Sequence, residues 1–219
     1  MAGVSVNSNS TAGNTAMLQY LLIKRFSGLL RWYRSRLTID MQHLSRYIPK
    51  EGRMLDVGCG VGSVDYEFAR SRPDLHIHGI DIAAKSIELA NRYNRLPNTR
   101  YTCQPLESVA GRYDCVLFMD VFHHVAPANR DSLLQAASRL LNPQGYVLIK
   151  DIERRRGGAS WMLDRYVSRC SADEIFLENC SDLADLVAKH LTVLASEVRF
   201  RMPFPHYYIK ATAKTLSKE

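Results

Sequence analysis

No stretch of this 219-residue chain stays apolar for the roughly 20 residues that a membrane-crossing helix needs. The opening residues also lack the basic stretch and apolar run of a secretory signal. MAGVSVNSNSTAGNTA is rich instead in Ser, Asn, Gly and Ala, and residues 1–16 read as a disordered tail. No internal repeat and no long linker divides the rest, so one domain with a lid is expected. Cysteine is sparse: Cys59, Cys103, Cys115, Cys170 and Cys180 form no CxxC pair and no metal-ligand spacing. An odd, scattered set reads as reduced thiols on small buried side chains, which points to the cytoplasm. What the chain does carry is a net charge of +7. That charge invites an acidic partner: nucleic acid, anionic lipid or an anionic small molecule. Lys24, Arg25, Arg31, Arg34 and Arg36 form one basic cluster and Arg154, Arg155 and Arg156 another. A solvated basic face is the other reading of each.

Leu18, Leu21, Leu22, Phe26, Leu29, Leu30 and Tyr33 recur at helical spacing, opposite the first basic cluster. A second helix is expected after Thr38 as N-cap, ending near Pro49, so residues 17–49 read as an N-terminal helical lid. The pattern then changes. RMLDVG, DLHIHGID, TRYTCQ, YDCVLFMD and YVLIKD are short strand-like runs. SVDYEFARSR, AAKSIELANRYN and ANRDSLLQAASRLL alternate with them at helical spacing. Nearly continuous apolar strands alternating with helices make a parallel sheet covered on both faces, and right-handed crossovers make it doubly wound. Farther on, SDLADLVAKH is helical. LTVLASEVRFR and HYYIKATA are strands joined by MPFP, a link short enough to make that pair antiparallel.

The run LDVGCGVGSVDYEFA carries Gly58, Gly60 and Gly62 between the first strand and a helix. A side-chain-poor turn there lets a ligand approach backbone at the carboxyl edge of the sheet, where the free N–H groups of the helix also point. A dinucleotide loop would place a third glycine where Ser63 stands, and Asp56 just before the turn would repel a pyrophosphate. No Gly-Lys-Ser/Thr follows, which excludes a P-loop. A carboxylate at Asp56 suits an ammonium group instead, and Asp81 at the end of the next strand suits a ribose diol. The turn therefore favours a ligand that is cationic near the loop and carries a ribose beyond it.

LDVGCGVG, GIDIA, YDCVLFMDVFHHV and LNPQGYVLIKD, in that order, resemble the successive motifs of class I S-adenosylmethionine-dependent methyltransferases. The likeness is to the small-molecule enzymes of quinone and secondary-metabolite pathways, and it covers about residues 53–151. It implies a seven-stranded sheet ordered 3-2-1-4-5-7-6 with strand 7 antiparallel. It implies S-adenosylmethionine as cofactor and S-adenosylhomocysteine as product. By position, Asp56, Gly58 and Gly60 would surround the methionine amino and carboxylate groups. Asp81 would hold the ribose, Ile82 would pack on the adenine, and Leu106 would line its slot. Gln104 stands where the family often has an aspartate facing the adenine amino group. Asp120, or the Met119 backbone, would border the methionine tail.

A sulfonium is an activated methyl donor, so the protein has to align a nucleophile and exclude water. For a hydroxyl acceptor, His124 or His123 is a candidate base, since imidazole titrates near neutral pH. Shaping the pocket wall is their other reading. For a carboxylate acceptor shape and orientation suffice, and a lipid-like or carrier-bound acceptor stays open. Asp120 and Asp151 end neighbouring strands as a Mg2+ pair would, but Ile152 stands where a third oxygen ligand belongs, so no metal is expected. Tyr33, Trp161, Met162, Tyr166 and Phe176, with Phe204, His206 and Tyr207 near the mouth, suggest an apolar or aromatic acceptor covered by residues 17–49 and 153–180. Core packing competes with that role for each aromatic. The basic N-terminal helix caps the pocket, docks peripherally on an anionic membrane or pairs subunits, and monomer and homodimer both stay open. Against RNA as substrate, no appended RNA-binding module is visible, and MDVFHH stands where amino-methylating enzymes carry Asn/Asp-Pro-Pro-Tyr. A non-catalytic scaffold is the remaining alternative.

Overall fold

The alternating runs fold as one mixed sheet. The computed structural model describes residues 39–154, 175–201 and 204–214. The expected tail, most of the N-terminal helices and most of the 153–180 segment, including Tyr33, Trp161, Met162 and Tyr166, lie outside the described residues. The strands are β1 Gly52–Val57, β2 Leu75–Asp81, β3 Thr99–Cys103, β4 Tyr113–Met119, β5 Leu141–Ile152, β6 Leu191–Arg201 and β7 Phe204–Ala213. The helices are α1 Met41–Leu44, α2 Ser63–Ser71, α3 Ala84–Tyr93, α4 Pro127–Arg139 and α5 Cys180–His190. Short 3-10 turns cover Leu106–Ser108 and Phe122–His124.

The seven strands run in the order β3-β2-β1-β4-β5-β7-β6, as expected. β1 pairs in parallel with β2 and β4, and β4 in parallel with β5. β7 is antiparallel to both β5 and β6. The strand order reverses between β1 and β4, so the crevice of a doubly wound sheet falls beyond their carboxyl ends.

Both faces are covered, which is why the strand runs are almost wholly apolar. Leu55, Val116, Phe118, Ile149, Tyr207 and Ile209 pack on one face with Leu134 of α4 and Leu183 and Val187 of α5. Met54, Leu117, Leu148 and Tyr208 pack on the other with Leu44 of α1 and Val64 and Phe68 of α2. Alternation of side chains along a strand then sends neighbours at the strand ends to opposite faces.

The expected second N-terminal helix is one turn long. Asp40 caps it, accepting a hydrogen bond from the His43 backbone N–H at 2.9 Å. The chain then turns under Arg72, whose guanidinium donates to the carbonyls of Ser45, Ile48 and Pro49. Those three carbonyls are thereby satisfied outside a helix, which lets the chain leave helical geometry early.

Candidate active site

The glycine loop is held to the sheet by its own backbone. Gly58 and Cys59 N–H both donate to the Ile80 carbonyl, at 2.8 and 3.0 Å. Gly58, Gly60 and Gly62 all have positive φ, the left-handed region that disfavours a side chain. At Gly58 a Cβ would also meet Val121 at 2.7 Å, and at Gly62 the Tyr101 ring at 2.6 Å. At Gly60 it would meet nothing within 4 Å, so this residue faces open space on the ligand side.

Asp81 reaches across to that loop. Its Oδ2 accepts from Gly60 N–H at 2.9 Å and its Oδ1 from Ala83 N–H at 2.8 Å. A carboxylate has about four acceptor positions, so two remain for a diol. Ile82 beside it is 81% exposed, a large apolar surface at the rim. Gln104 N–H donates to the Asp81 carbonyl at 3.1 Å and so borders the same ledge, whereas Leu106 is buried in the core.

Asp56 lies beneath the loop and away from solvent, against Asp65 of α2. Asp56 Oδ1 and both Asp65 oxygens find no donor among the described residues. Burial raises Asp56 well above the usual carboxylate range, and the nearby Asp65 charge raises it further. Burial likewise pushes Asp65 up to about 7. Both carboxyls are thus pushed toward their neutral, protonated forms, since two ionised acids so placed would repel.

Past β4 the backbone bends sharply at Asp120, the one non-glycine residue with positive φ among those described, at 58°. Its Oδ1 accepts from Lys150 Nζ at 2.6 Å, and its N–H donates to the Lys150 carbonyl. Burial opposes ionisation of Asp120, but the Lys150 charge and hydrogen bond outweigh it and hold the carboxyl low. Met119 is half-buried against the α1–α2 face.

Asp151 points to the opposite face and serves the histidines. Its Oδ1 accepts from His123 Nδ1 at 2.6 Å and its Oδ2 from His123 N–H at 3.1 Å. Burial disfavours the His123 imidazolium, but the Asp151 hydrogen bond and charge reverse that and raise it. With Nδ1 so engaged, Nε2 is the ring position available for proton transfer. His124 is exposed and stacks near His123, ring centres 4.1 Å apart. Asp120 and Asp151, the pair considered for Mg2+, are thus each engaged by a side chain of this protein.

The turn bearing the histidines is clamped from below. Arg130 of α4 donates to the carbonyls of Val125, Phe122 and Phe176 and pairs with Glu178 at 2.5 Å. Phe176 N–H donates to the His123 carbonyl. The half-buried Phe176 thus belongs to this clamp through its backbone.

From β7, His206 and Tyr207 turn to opposite faces. Tyr207 is 1% exposed and packs in the core with α5 and β5, so the structure brings it to no mouth. His206 lies opposite Ile152 on the Lys150 side and is 4% exposed. Neither of its ring nitrogens completes a hydrogen bond, although the Asp151 backbone lies close. Burial, and then the Lys150 charge, lower its pKa to about 4, so it is neutral at neutral pH.

The structure therefore gathers Gly58, Gly60, Asp81, Ile82 and Gln104 on one ledge, with Leu106 in the core, and Asp120, His123, His124 and His206 on the neighbouring one. Sequence reasoning missed Asp65, Arg130 and Lys150, and considered Asp151 only as a metal ligand. For Lys150 there was a signal: a lone cation at the end of an otherwise apolar buried strand.

The sheet order, the single antiparallel strand and the glycine crevice together define the Rossmann-like fold of class I methyltransferases. Residues 29–196 match the family model described as "Methyltransferase domain", and the chain belongs to that family. Ubiquinone biosynthesis O-methyltransferase of Bordetella avium is 33% identical over 108 residues, covering 47% of this chain and 43% of that one. Cyclopropane-fatty-acyl-phospholipid synthase of Escherichia coli K12 is 27% identical over 104 residues, covering 48% and 27%. The chain thus spans less than half the length of these curated relatives. Among solved structures, one from Pyrococcus horikoshii superposes with a TM-score of 0.67 at 20% identity, covering 83% of this chain and 91% of that one. A 1,6-didemethyltoxoflavin-N1-methyltransferase of Burkholderia thailandensis, with bound 1,6-didemethyltoxoflavin and S-adenosylhomocysteine, gives 0.64 at 17%, covering 98% and 94%.

Proposed function

We propose that this protein transfers the methyl group of S-adenosylmethionine to an oxygen of a small, apolar or aromatic acceptor, releasing S-adenosylhomocysteine. The observation that carries the reading is the Gly60–Asp81 hydrogen bond beside exposed Ile82. It joins an open glycine backbone, a carboxylate with acceptor capacity to spare and an apolar shelf on one edge. Asp81 receives the ribose hydroxyls and Ile82 the adenine, with Gln104 at its far side. Gly58 and Gly60 present backbone to the amino acid end. Asp56, kept beneath the loop by Asp65, acts on that end through the loop and not by direct contact.

The bound donor supplies an electrophilic methyl group on a positively charged sulfur. His123, oriented by Asp151, takes the proton of the acceptor hydroxyl at Nε2. The oxygen bonds to the methyl carbon as the carbon–sulfur bond breaks, and that electron pair stays on sulfur. His124, exposed next to His123, shapes the entrance. The relatives' names include an O-methyltransferase, an N1-methyltransferase and a cyclopropane-fatty-acyl-phospholipid synthase, which supports the donor chemistry and leaves acceptor choice to the local residues.

Calorimetry with S-adenosylhomocysteine is the direct test. Micromolar binding that Asp81→Ala weakens supports the donor site, and no heat with the intact chain defeats it. A labelled-methyl screen over phenolic, quinone-like and acyl carboxylate acceptors then identifies the acceptor class. Label appearing only in added RNA would transfer the activity to the rival class. Flotation with anionic liposomes, comparing the full chain with one lacking residues 1–36, tests peripheral membrane docking by the basic N-terminal segment.

A further inference from the structure

Lys150 and His206 take no part in the reaction just described, yet they are the most costly residues at this rim. Lys150 is 1% exposed and His206 4%. An ammonium and an imidazole so deeply placed forfeit hydration, which only specific partners restore. Lys150 has Asp120 as its hydrogen-bonding partner, so one N–H of three is used among the described residues. His206 has neither nitrogen satisfied. Asp120 meanwhile holds a left-handed backbone. Such strain at a carboxyl edge of the sheet is a feature of sites that the surrounding structure holds ready for a ligand.

Strand alternation places Lys150 and His206 on one face, since Lys150 pairs with Tyr208 and Ile152 with His206. Asp120, Lys150 and Asp151 act electrostatically on both His123 and His206. The open hydrogen-bonding positions therefore belong to the same rim as the proposed base.

We propose that Asp120, Lys150 and His206 form a polar subsite of the acceptor pocket that takes a phenol-type hydroxyl and discriminates against a carboxylate. The proposal rests on the methyl-transfer reading and narrows its acceptor class. The three groups offer one carboxylate, one ammonium and one neutral imidazole, with no formal charge in sum. Asp151 beside them adds a negative charge shared with His123. A carboxylate entering there brings a full charge to a rim whose own charges are already paired, Asp120 with Lys150 and Asp151 with His123. A hydroxyl both gives and accepts a hydrogen bond: it donates to the imidazole and accepts from the ammonium. As negative charge grows on that oxygen, Lys150 stabilises it in a site away from water. A phenol enters neutral and, acidic enough to ionise beside an ammonium, passes its proton to His123, so the rim gains no net charge; an aliphatic alcohol draws less from this arrangement and a carboxylate arrives already charged.

4-Nitrophenol tests this, because its anion absorbs visible light and its acid form does not. With the full chain saturated by S-adenosylhomocysteine, titration below the probe's own pKa is expected to give a saturable rise in anion absorbance. 4-Nitrobenzoate, matched in skeleton, is expected to compete at least about tenfold more weakly, the size of one charge-assisted hydrogen bond. Lys150→Met is expected to abolish the anion signal, and Lys150→Arg to retain part of it. His206→Gln is expected to weaken probe binding while leaving the signal at saturation. Circular dichroism identifies any variant that fails to fold, and Lys150→Arg and His206→Gln then carry the test. No saturable signal with the intact chain, equal binding of the benzoate, or an unchanged signal in folded Lys150→Met each overturns the subsite. Calorimetry with S-adenosylhomocysteine on the same samples separates this from failure of the donor site: heat without a probe response condemns the subsite alone.

Discussion

Asp81 shows how one residue joins local structure to function. Its two oxygens fasten the glycine loop and the entry to α3 before any ligand arrives. Replacing it with alanine leaves the Gly60 and Ala83 N–H groups without that acceptor as well as removing the proposed ribose contact. Asp81→Ala is expected to weaken S-adenosylhomocysteine binding by about tenfold or more in calorimetry. The neighbouring glycines differ from one another in a way that the GxGxG spelling conceals. Gly60→Ala meets only the left-handed backbone, at φ 55°, and is expected to cost about 1–2 kcal/mol. Gly62→Ala meets that penalty and the Tyr101 ring at 2.6 Å, so its loss in a urea denaturation series is expected to be clearly larger. Equal losses would mean that the Tyr101 ring is free to move aside.

At the scale of elements, the turn after β4 is held by a residue two turns away. Arg130 gathers three carbonyls and one carboxylate around its guanidinium, fixing the 3-10 turn to the segment entering α5. Arg130→Met leaves Glu178 half-buried without its cation and those carbonyls short of a donor. A loss of about 3–5 kcal/mol is expected in chemical denaturation. Release of the turn should also loosen hydrogen–deuterium exchange at Phe176, whose N–H is bonded to His123. This clamp marks where sequence reading stops. The glycine loop, the strand-end Asp81 and the strand order follow from periodicity and turn chemistry, because each is written within a few consecutive residues. The His123–Asp151, Lys150–Asp120 and Arg130–Glu178 pairs join residues 28, 30 and 48 positions apart. Only the sheet register and the packing of helices on it decide such pairings. Tyr207 illustrates the same limit. HYY in sequence offers no way to tell which of three neighbours faces the rim, and pleat alternation sends His206 there and Tyr207 to the core. The second N-terminal helix ends after one turn for a related reason: Arg72, distant in sequence, takes over its carbonyls.

For the whole molecule, stability carries two opposed pH dependences. The Asp56–Asp65 pair is raised in the folded state, with Asp65 at about 7, so the folded protein keeps a proton that the unfolded chain has released. That contribution is complete below about pH 4 and is lost as pH rises toward about 7. His206 is lowered to about 4, so the unfolded chain binds its proton first on acidification. Its contribution is present above about pH 6.5 and is lost as pH falls toward 4. Asp65→Asn removes the Asp65 part of the first, leaves the burial of Asp56 and leaves the second, so the variant's stability should climb more steeply than the parent's between pH 4 and 7. His206→Gln should do the reverse. Urea denaturation at pH 5 and pH 7 on the three proteins measures both slopes, and parallel slopes would refute the assignment of these protons.

β7 sits between β5 and β6 although both precede it in the chain. During synthesis, then, β6 has no strand to pair with until residues 204–213 have emerged, and β5 waits with an open flank. That same late segment delivers His206. Docking of that last segment thus seals the flank of β5, leaves β6 as the sheet's outer edge on that side, and brings His206 to the rim in the same motion.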